Sequence, residues 1–430
     1  FRLISGLENT ITFSENQLTK MAEQCGFLTR YRTILPHALV LSTLTALGKD
    51  SNAESLADLH RKLNEMTGLH VSYHAWREQV SKPEFVILMV WLFLRSLDKM
   101  VKRTLSFDPS SPFARFRHVW LHDGSSQAVI AKLKETLPGR FKTVSPAAVE
   151  LHTTMDLLTD NIVRVSLTED TRSERDCLPA LISDLSDTLM MIDAGYFDLE
   201  YFMASQDREG CFLCRAPQSI NPLVHKVIRS DGQNCHRYEG QKLKDVLPHF
   251  PKDGCMDLDV EWSQAKGYMF RVVVRWNGQK KKWVFVVTNL SRESFSLQDI
   301  FLAYRLRWQI ELAFKETKSY ARWHRFNTAC VTLVTSLIFA SFIVVVLKRP
   351  LAHAVERSMD SEISTRKTAM TGTHLFGELM LGLLRKSKHH TLRALKILCK
   401  FWQENGKREH PARDKRTGRS ALGLGAIGCA

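Results

Sequence analysis

Residues 304–318 read YRLRWQIELAFKETK. Tyr304, Arg307, Glu311 and Lys318 are spaced by three, four and seven residues. At 3.6 residues per turn they fall within roughly 60° of one another on a helix. Leu302, Leu306 and Ala313 fall on the opposite side and suit a core. The spacing therefore predicts one helix that presents a carboxylate, two cations and a phenol on a single stripe. A carboxylate can ligate a metal. A guanidinium can grip a phosphate in two places, an ammonium can neutralise another, and a phenol can donate a hydrogen bond or stack. The plainer reading is a surface stripe of ion pairs, with Arg307 and Glu311 as an i,i+4 pair.

Two more carboxylates stand where apolar runs end. Asp123 follows Val119-Trp120-Leu121-His122, and Asp193 follows Met190-Met191-Ile192. Oxygen donors at strand ends can hold Mg²⁺, which keeps waters and takes phosphate as a further ligand. Strands also end in Asp because Asp suits turns. Residues 149–158 and 162–167 are strand-like and flank Thr159-Asp160-Asn161, a hairpin signal. Residues 179–189 read as helical. From about residue 217 to 290 the helical period vanishes. Runs at 268–276 and 283–289 are β-rich and are joined by Asn277-Gly278 and the basic Lys280–Lys282. Lys280–Lys282 suits proximity to DNA or a solvated turn.

The first 107 residues read as helical, with Ser14, Ser55 and Ser72 as N-caps. A helix ending at Gly68 and a short helix from Ser72 suit a helix-turn-helix, with His74, Arg77 and Gln79 facing DNA; any all-α domain also contains such pairs. Residues 107–112 form a linker by composition. Residues 328–347 form a charge-free run of 20 residues, long enough to span a bilayer. Its Thr and Ser content and its soluble surroundings favour a buried core helix. The chain turns helical again after Pro350 and ends in a Gly- and Arg-rich tail. Fourteen Lys and Arg lie between Arg366 and Arg419, a solvated face or a DNA-backbone contact.

With 430 residues, 44% of them hydrophobic, the chain builds a sizeable core, so wholesale disorder and low-complexity classes are excluded. The net charge of +15 favours a polyanionic partner, nucleic acid or an anionic surface. Nine irregularly spaced cysteines argue against a disulfide framework. Cys211 and Cys214 form a lone CxxC, read as buried thiols in preference to a zinc site.

The pattern Tyr304-x2-Arg307-x3-Glu311-x6-Lys318 resembles the YREK motif of the insertion-sequence-four family of bacterial DDE transposases. Asp123-Gly124-Ser125 resembles that family's first-Asp motif, and Asp193-Ala194-Gly195-Tyr196-Phe197-Asp198 its second. Residues around Leu151-His152, Asp156 and Leu158 resemble the hairpin between them, and Arg325-Phe326-Asn327-Thr328 the segment after the catalytic helix. Ala194 departs from the family's usual Arg. The resemblance covers about residues 10–350.

It implies an α/β ribonuclease-H-like mixed sheet with a β-rich insertion, a helical N-terminal DNA-binding domain (1–107) and a helical C-terminal region. The catalytic domain would span 108–349, with the insertion at about 217–290. The basic C-terminal region would span 350–430 and end in a flexible tail. Asp123, Asp193 and Glu311 would be catalytic and would bind two Mg²⁺ ions, with Mn²⁺ as a substitute. Tyr304, Arg307 and Lys318 would hold DNA near the cut, and Trp283 would stack on a flipped base; otherwise Trp283 is a core residue of the insertion. The implied activity is cut-and-paste transposition: cleavage of element ends, then joining of 3′-hydroxyls to target DNA. Implied partners are double-stranded DNA with terminal inverted repeats, target DNA and a second copy in a homodimer. No membrane is implied, and the implied location is the bacterial cytoplasm, at the nucleoid. The alternative is a transposase-derived DNA-binding protein without catalysis.

Overall fold

The computed structural model describes residues 14–47, 54–181, 185–320, 326–358 and 362–427, the last range without 411, 413–415 and 417. Five helices come first: α1 (Glu15–Gln24), α2 (Pro36–Ala46), α3 (Leu56–Thr67), α4 (Tyr73–Val80) and α5 (Pro83–Met100). α1, α3 and α4 start at the serine caps read from the sequence, and α2 and α5 start at Pro36 and Pro83 without a side-chain cap. Ser55 forms a capping box with Asp58, Gly68 ends α3 in the left-handed conformation, and Ser72 caps α4. Leu59, Leu63 and Met66 of α3 bury one face, as do Trp76 and Val80 of α4. Arg77, expected to face DNA, turns inward instead, donating to Thr328 Oγ1 at 3.0 Å.

The sheet follows. After β1 (Leu105–Phe107) come β2 (His118–Ala128), β3 (Pro138–Phe141), β4 (Ser145–Asp156), β5 (Asn161–Glu169), β6 (Thr188–Ile192) and β7 (Cys211–Ala216). Helix α6 (Leu199–Gln206) links β6 to β7. The strands run in the order β5–β4–β2–β6–β7, with β3 also on β4. Antiparallel pairing holds β5, β4 and β2 together, and parallel pairing joins β2 to β6 and β6 to β7. The hairpin at 149–167 thus forms as read, turning at Asp160 with φ 47°. No helix covers the described part of 179–189, where a turn leads directly into β6.

The β-rich stretch supplies β8 (Leu223–Arg229), β9 (Cys255–Glu261), β10 (Phe270–Asn277) and β11 (Lys282–Thr288). It is not a separate module. β11 pairs with β7, and β10, β9 and β8 continue outward, giving one mixed sheet of ten strands. One face of this sheet packs on the helices. The other carries a second core of its own, including Phe202, Phe212, Phe270 and Phe285. Successive residues on a strand point to opposite faces. Cys211 accordingly enters the first core and Cys214 the second, so this CxxC cannot close on one zinc ion.

After α7 (Leu297–Leu306) and α8 (Trp308–Lys315), a 26-residue helix, α9 (Val331–Glu356), runs through the fold. Of the described helices it is the one long and apolar enough to cross a membrane, and 83% of its most apolar window is buried here. It packs on α5, and even its Lys348 and Arg349 are buried. The helix passes through Pro350, so the boundary expected at 349/350 falls inside it. Helices α10 (Thr365–Met370), α11 (Thr373–Leu384) and α12 (Lys388–Asn405) follow. α11 returns to α2, and a single apolar core runs through N-terminal helices, α9, C-terminal helices and one sheet face. The chain end is pinned rather than free over residues 424–426, where β12 (Leu424–Ala426) pairs with β1.

Candidate active site

Strand register brings the first two carboxylates together. His122 of β2 lies level with Ile192 of the parallel strand β6. The next residues, Asp123 and Asp193, therefore sit side by side, about one strand spacing (~4.8 Å) apart in backbone. β2 does not stop at Asp123 as the apolar run suggested; it continues to Ala128 through its pairing with β4. The residue after Asp123 has to be small. A Cβ on Gly124 would lie 2.7 Å from the Tyr196 hydroxyl and 2.9 Å from Glu150 Oε1. Tyr196 is held there by His152, whose Nδ1 lies 2.8 Å from its hydroxyl. Asp193 caps the turn at 194–196, accepting from the Ala194 N–H at 2.7 Å.

The third carboxylate arrives on a helix that is not continuous. Ser296 and Asp299 form a capping box that starts α7. The helix tightens at Arg307, where the Arg307 N–H bonds Tyr304 O and the Ile310 N–H bonds Arg307 O, both three residues back. α8 then carries Glu311, and residues 316–320 loosen into a π-turn. The single helix expected over 304–318 is thus three helical pieces. A buried tether lies at the start of the π-turn: Arg349 Nε donates to Glu316 Oε2 at 2.9 Å.

Arg307 stands at the centre of the site. Its Nη1 donates to Asp123 Oδ2 at 2.5 Å. Its Nη2 lies 3.7 Å from Asp193 Oδ2 and 3.6 Å from Glu311 Oε1. The Arg307 and Asp123 side chains are 12% and 13% exposed, whereas Asp193 and Glu311 are each about a third exposed. Tyr304 donates its hydroxyl to Asp193 Oδ1 at 3.1 Å. Lys318 donates to the Ser126 carbonyl, farther along β2. Five of the seven residues singled out by sequence therefore share one cluster, and Lys318 flanks it from the π-turn, bonded to β2.

The electrostatics follow from burial. Burial pushes the Asp123 carboxyl up to about 7; the Arg307 guanidinium opposes this, while Glu311 and Asp193 reinforce it. Burial, with the nearby Asp193 charge, also raises the Tyr304 phenol. Lys318 is pulled down to about 8 by burial, against the attraction of Glu150, Asp170 and Glu311.

Trp283 lies outside this cluster. It packs against Trp276 at 5.2 Å and Phe250 at 6.3 Å, at the edge of the insertion's own core. Register does place it at the Asp193 end of the sheet: Val287 is level with Cys214, which is level with Ile192. Trp283 lies four residues beyond Val287, ~13 Å along the strand. Of the segment 325–328 after α8, Arg325 lies outside the described residues.

Glu150 was not singled out from the sequence. It is buried on β4 opposite Ser126 and bonded by Arg140 at 2.5 Å. Arg140 also reaches Asp170 and Glu174. An acid between Val149 and Leu151 in an apolar strand was the available signal.

Three carboxylates drawn around one cation form an all-oxygen donor set, the chemistry that suits Mg²⁺. Among the described residues, no three His, Cys, Asp or Glu side chains close tightly enough to hold a metal as they stand. The Arg307 guanidinium lies between the three acids. The donor types fit the ion, and the guanidinium fills the cationic position.

Residues 140–347 match the family described as Transposase DDE domain. Over 461 aligned residues the chain is 22% identical to the transposase for insertion sequence element IS231E of Bacillus thuringiensis subsp. finitimus, covering 96% of this chain and 93% of the relative. A structure of the piggyBac transposase synaptic complex with hairpin DNA aligns over 95% of this chain and 87% of that one. Its TM-score is 0.45, at 10% identity. The domain match and the bacterial relative support a DDE transposase.

Proposed function

We propose that this protein is a cut-and-paste DNA transposase of the YREK-bearing insertion-sequence-four type. The observation that carries the reading is the convergence of Asp123, Asp193 and Glu311 on one guanidinium, from two adjacent parallel strands and a helix. The strand order β5–β4–β2–β6–β7, an antiparallel hairpin followed by parallel strands, supports a ribonuclease-H-like catalytic core. Asp123, Asp193 and Glu311 would hold a pair of Mg²⁺ ions, with Mn²⁺ as a substitute. Such a pair supplies activation of the attacking hydroxyl and stabilisation of the leaving oxygen in an in-line displacement at phosphorus.

The chain's own residues do the rest. Arg307 exchanges its carboxylate contacts for the scissile phosphate, where its planar fork can bond two oxygens. Tyr304 keeps Asp193 oriented through its hydroxyl. Lys318, half-buried beside β2, places its ammonium on the neighbouring phosphate. Trp283, at the same end of the sheet, serves as a stacking residue for an unpaired base only if it leaves its contact with Trp276. The N-terminal helices read the element ends, the DNA partners are element ends and target, and two copies join the two ends.

The test is strand cleavage of DNA carrying the inverted repeats that flank the gene. Wild type and Asp193→Asn are compared with and without Mg²⁺. Metal-dependent cuts at the repeat end, absent in the variant, are expected. Specific binding with no cutting under any divalent ion would sink the catalytic reading and leave a DNA-binding protein.

A further inference from the structure

Two cavities flank α7 beside the carboxylate cluster. One, of about 1120 Å³, lies between the catalytic helix and the C-terminal helices, and Tyr304 and Arg307 form part of its wall. The other, of about 670 Å³, lies between the insertion and α7. Arg305 lines both. Arginines line both walls: Arg229, Arg275 and Arg292 face the smaller cavity, Arg366 and Arg408 the larger, and of these Arg229, Arg292 and Arg408 pair with Asp231, Asp259 and Glu362. The acids among the lining residues are already engaged. Asp257 is bonded by Arg271 and Arg292, and Glu409 pairs with Lys367 at 2.9 Å.

Two of these arginines are placed without an acid. Among the described residues Arg275 and Arg305 form no ion pair, and both are exposed. Arg275 instead lies over the Phe301 ring at 4.5 Å, which holds the guanidinium against α7. Trp308, 53% exposed, adds an aromatic ring to the larger cavity, with the Lys315 ammonium 5.2 Å from its centroid. A concave, acid-poor run of guanidiniums with an exposed aromatic matches the phosphodiester backbone and bases of nucleic acid.

We propose that the two cavities form one track for the backbone of a DNA segment. It runs from the insertion, across Arg305, to the C-terminal helices, passing beside the catalytic carboxylates. The placement beside the chemistry rests on the transposase reading; the DNA contact itself does not. The segment is either DNA flanking the element end or target DNA, and both present the same phosphates.

The test uses the full chain carrying Arg275→Gln and Arg305→Gln together. Affinity for a repeat-free duplex of about 30 base pairs is read by fluorescence anisotropy over a salt series without divalent ions. Each lost phosphate contact lowers the slope of log affinity against log salt by about 0.9. The double variant should therefore lose about two units of slope, and roughly tenfold or more in affinity at 0.1 M salt. Lys244→Glu with Lys266→Glu alters charge at two exposed lysines that line neither cavity, and should leave the slope near wild type. A folded Arg275/Arg305 variant with wild-type slope, or one no lower than the lysine control, overturns the track. Loss of strand transfer from pre-cut ends with end cleavage intact assigns the segment to target DNA; loss of both assigns it to flanking DNA. If wild type cuts nothing yet the slope falls as expected, the track stands and the catalytic reading fails.

Discussion

Replacing Arg307 by Gln should destabilise the protein, and Mg²⁺ should restore part of the loss. The side chain holds three carboxylates, but the contacts differ in worth. The pair with Asp123 is close and largely buried, at 2.5 Å. The contacts to Asp193 and Glu311 are longer and reach acids about a third exposed. Removing one partner of a buried pair costs about 3–5 kcal/mol, whereas solvent-screened contacts add at most about 1 kcal/mol. The low end, about 3 kcal/mol, is therefore expected. For a chain this long that is about 3 °C in Tm if it unfolds as one unit. Adding Mg²⁺ should raise the Tm of Arg307→Gln more than that of wild type, because no guanidinium then competes for the acids. Asp123→Asn placed on Arg307→Gln should recover much of the lost stability, since no unpaired buried charge remains. Differential scanning fluorimetry over a Mg²⁺ series reads all of this. Equal melting of variant and wild type without metal, or equal Mg²⁺ shifts in both, would refute the view that Arg307 fills the cation's place.

Three further outcomes follow from the same geometry. Arg349 bonds Glu316 Oε2 and the carbonyl of Asp160 in a fully buried network, so Arg349→Met should cost about 3–5 kcal/mol, read as a lower urea midpoint. His353 lies 2.9 Å from Asp160 and 3.1 Å from Glu356; burial lowers its pKa, but these bonds outweigh it and push it up to about 9. Its stabilisation is therefore complete below the ordinary histidine range near 6.5 and is lost as pH rises through about 9; a His353→Gln variant should lack this alkaline drop in urea titrations. Gly124→Ala drives a methyl to 2.7 Å from the Tyr196 hydroxyl and should cut end cleavage by roughly tenfold or more, with DNA affinity in Ca²⁺ unchanged.

The site was legible where chemistry and period coincide. Tyr304, Arg307 and Glu311 share a stripe that helical spacing reveals, and Asp123 and Asp193 close apolar runs that become adjacent strands. What the sequence concealed is tertiary. The break at Arg307 has no Gly or Pro to announce it; all its neighbours are helix formers, and the tightening appears only with the packing of α7 and α8. The β-rich stretch was legible as strands, but its merger with the main sheet depends on the β7–β11 pairing, a contact between residues about 70 apart in sequence. Arg77 carried the composition of a DNA-facing helix and was claimed by Thr328, some 250 residues away. Trp283 had a spacing that suited stacking and a neighbour, Trp276, that only hairpin register supplies.

Glu316 follows α8 directly, and its partner Arg349 lies on α9. Arg349 also bonds the Asp160 carbonyl, in the turn between β4 and β5, and Arg419 reaches the Asp160 carboxylate from the chain end at 3.4 Å. One buried ionic network therefore ties the hairpin beside Asp123, the helix carrying Glu311 and the C-terminal segment. Each group in it would be costly to leave unpaired, so the three parts are held in one relative position. The C-terminal helices thus act on the carboxylates through position. Substitutions at Arg419 should accordingly lower cleavage together with stability, while substitutions at the exposed Arg305 should spare stability.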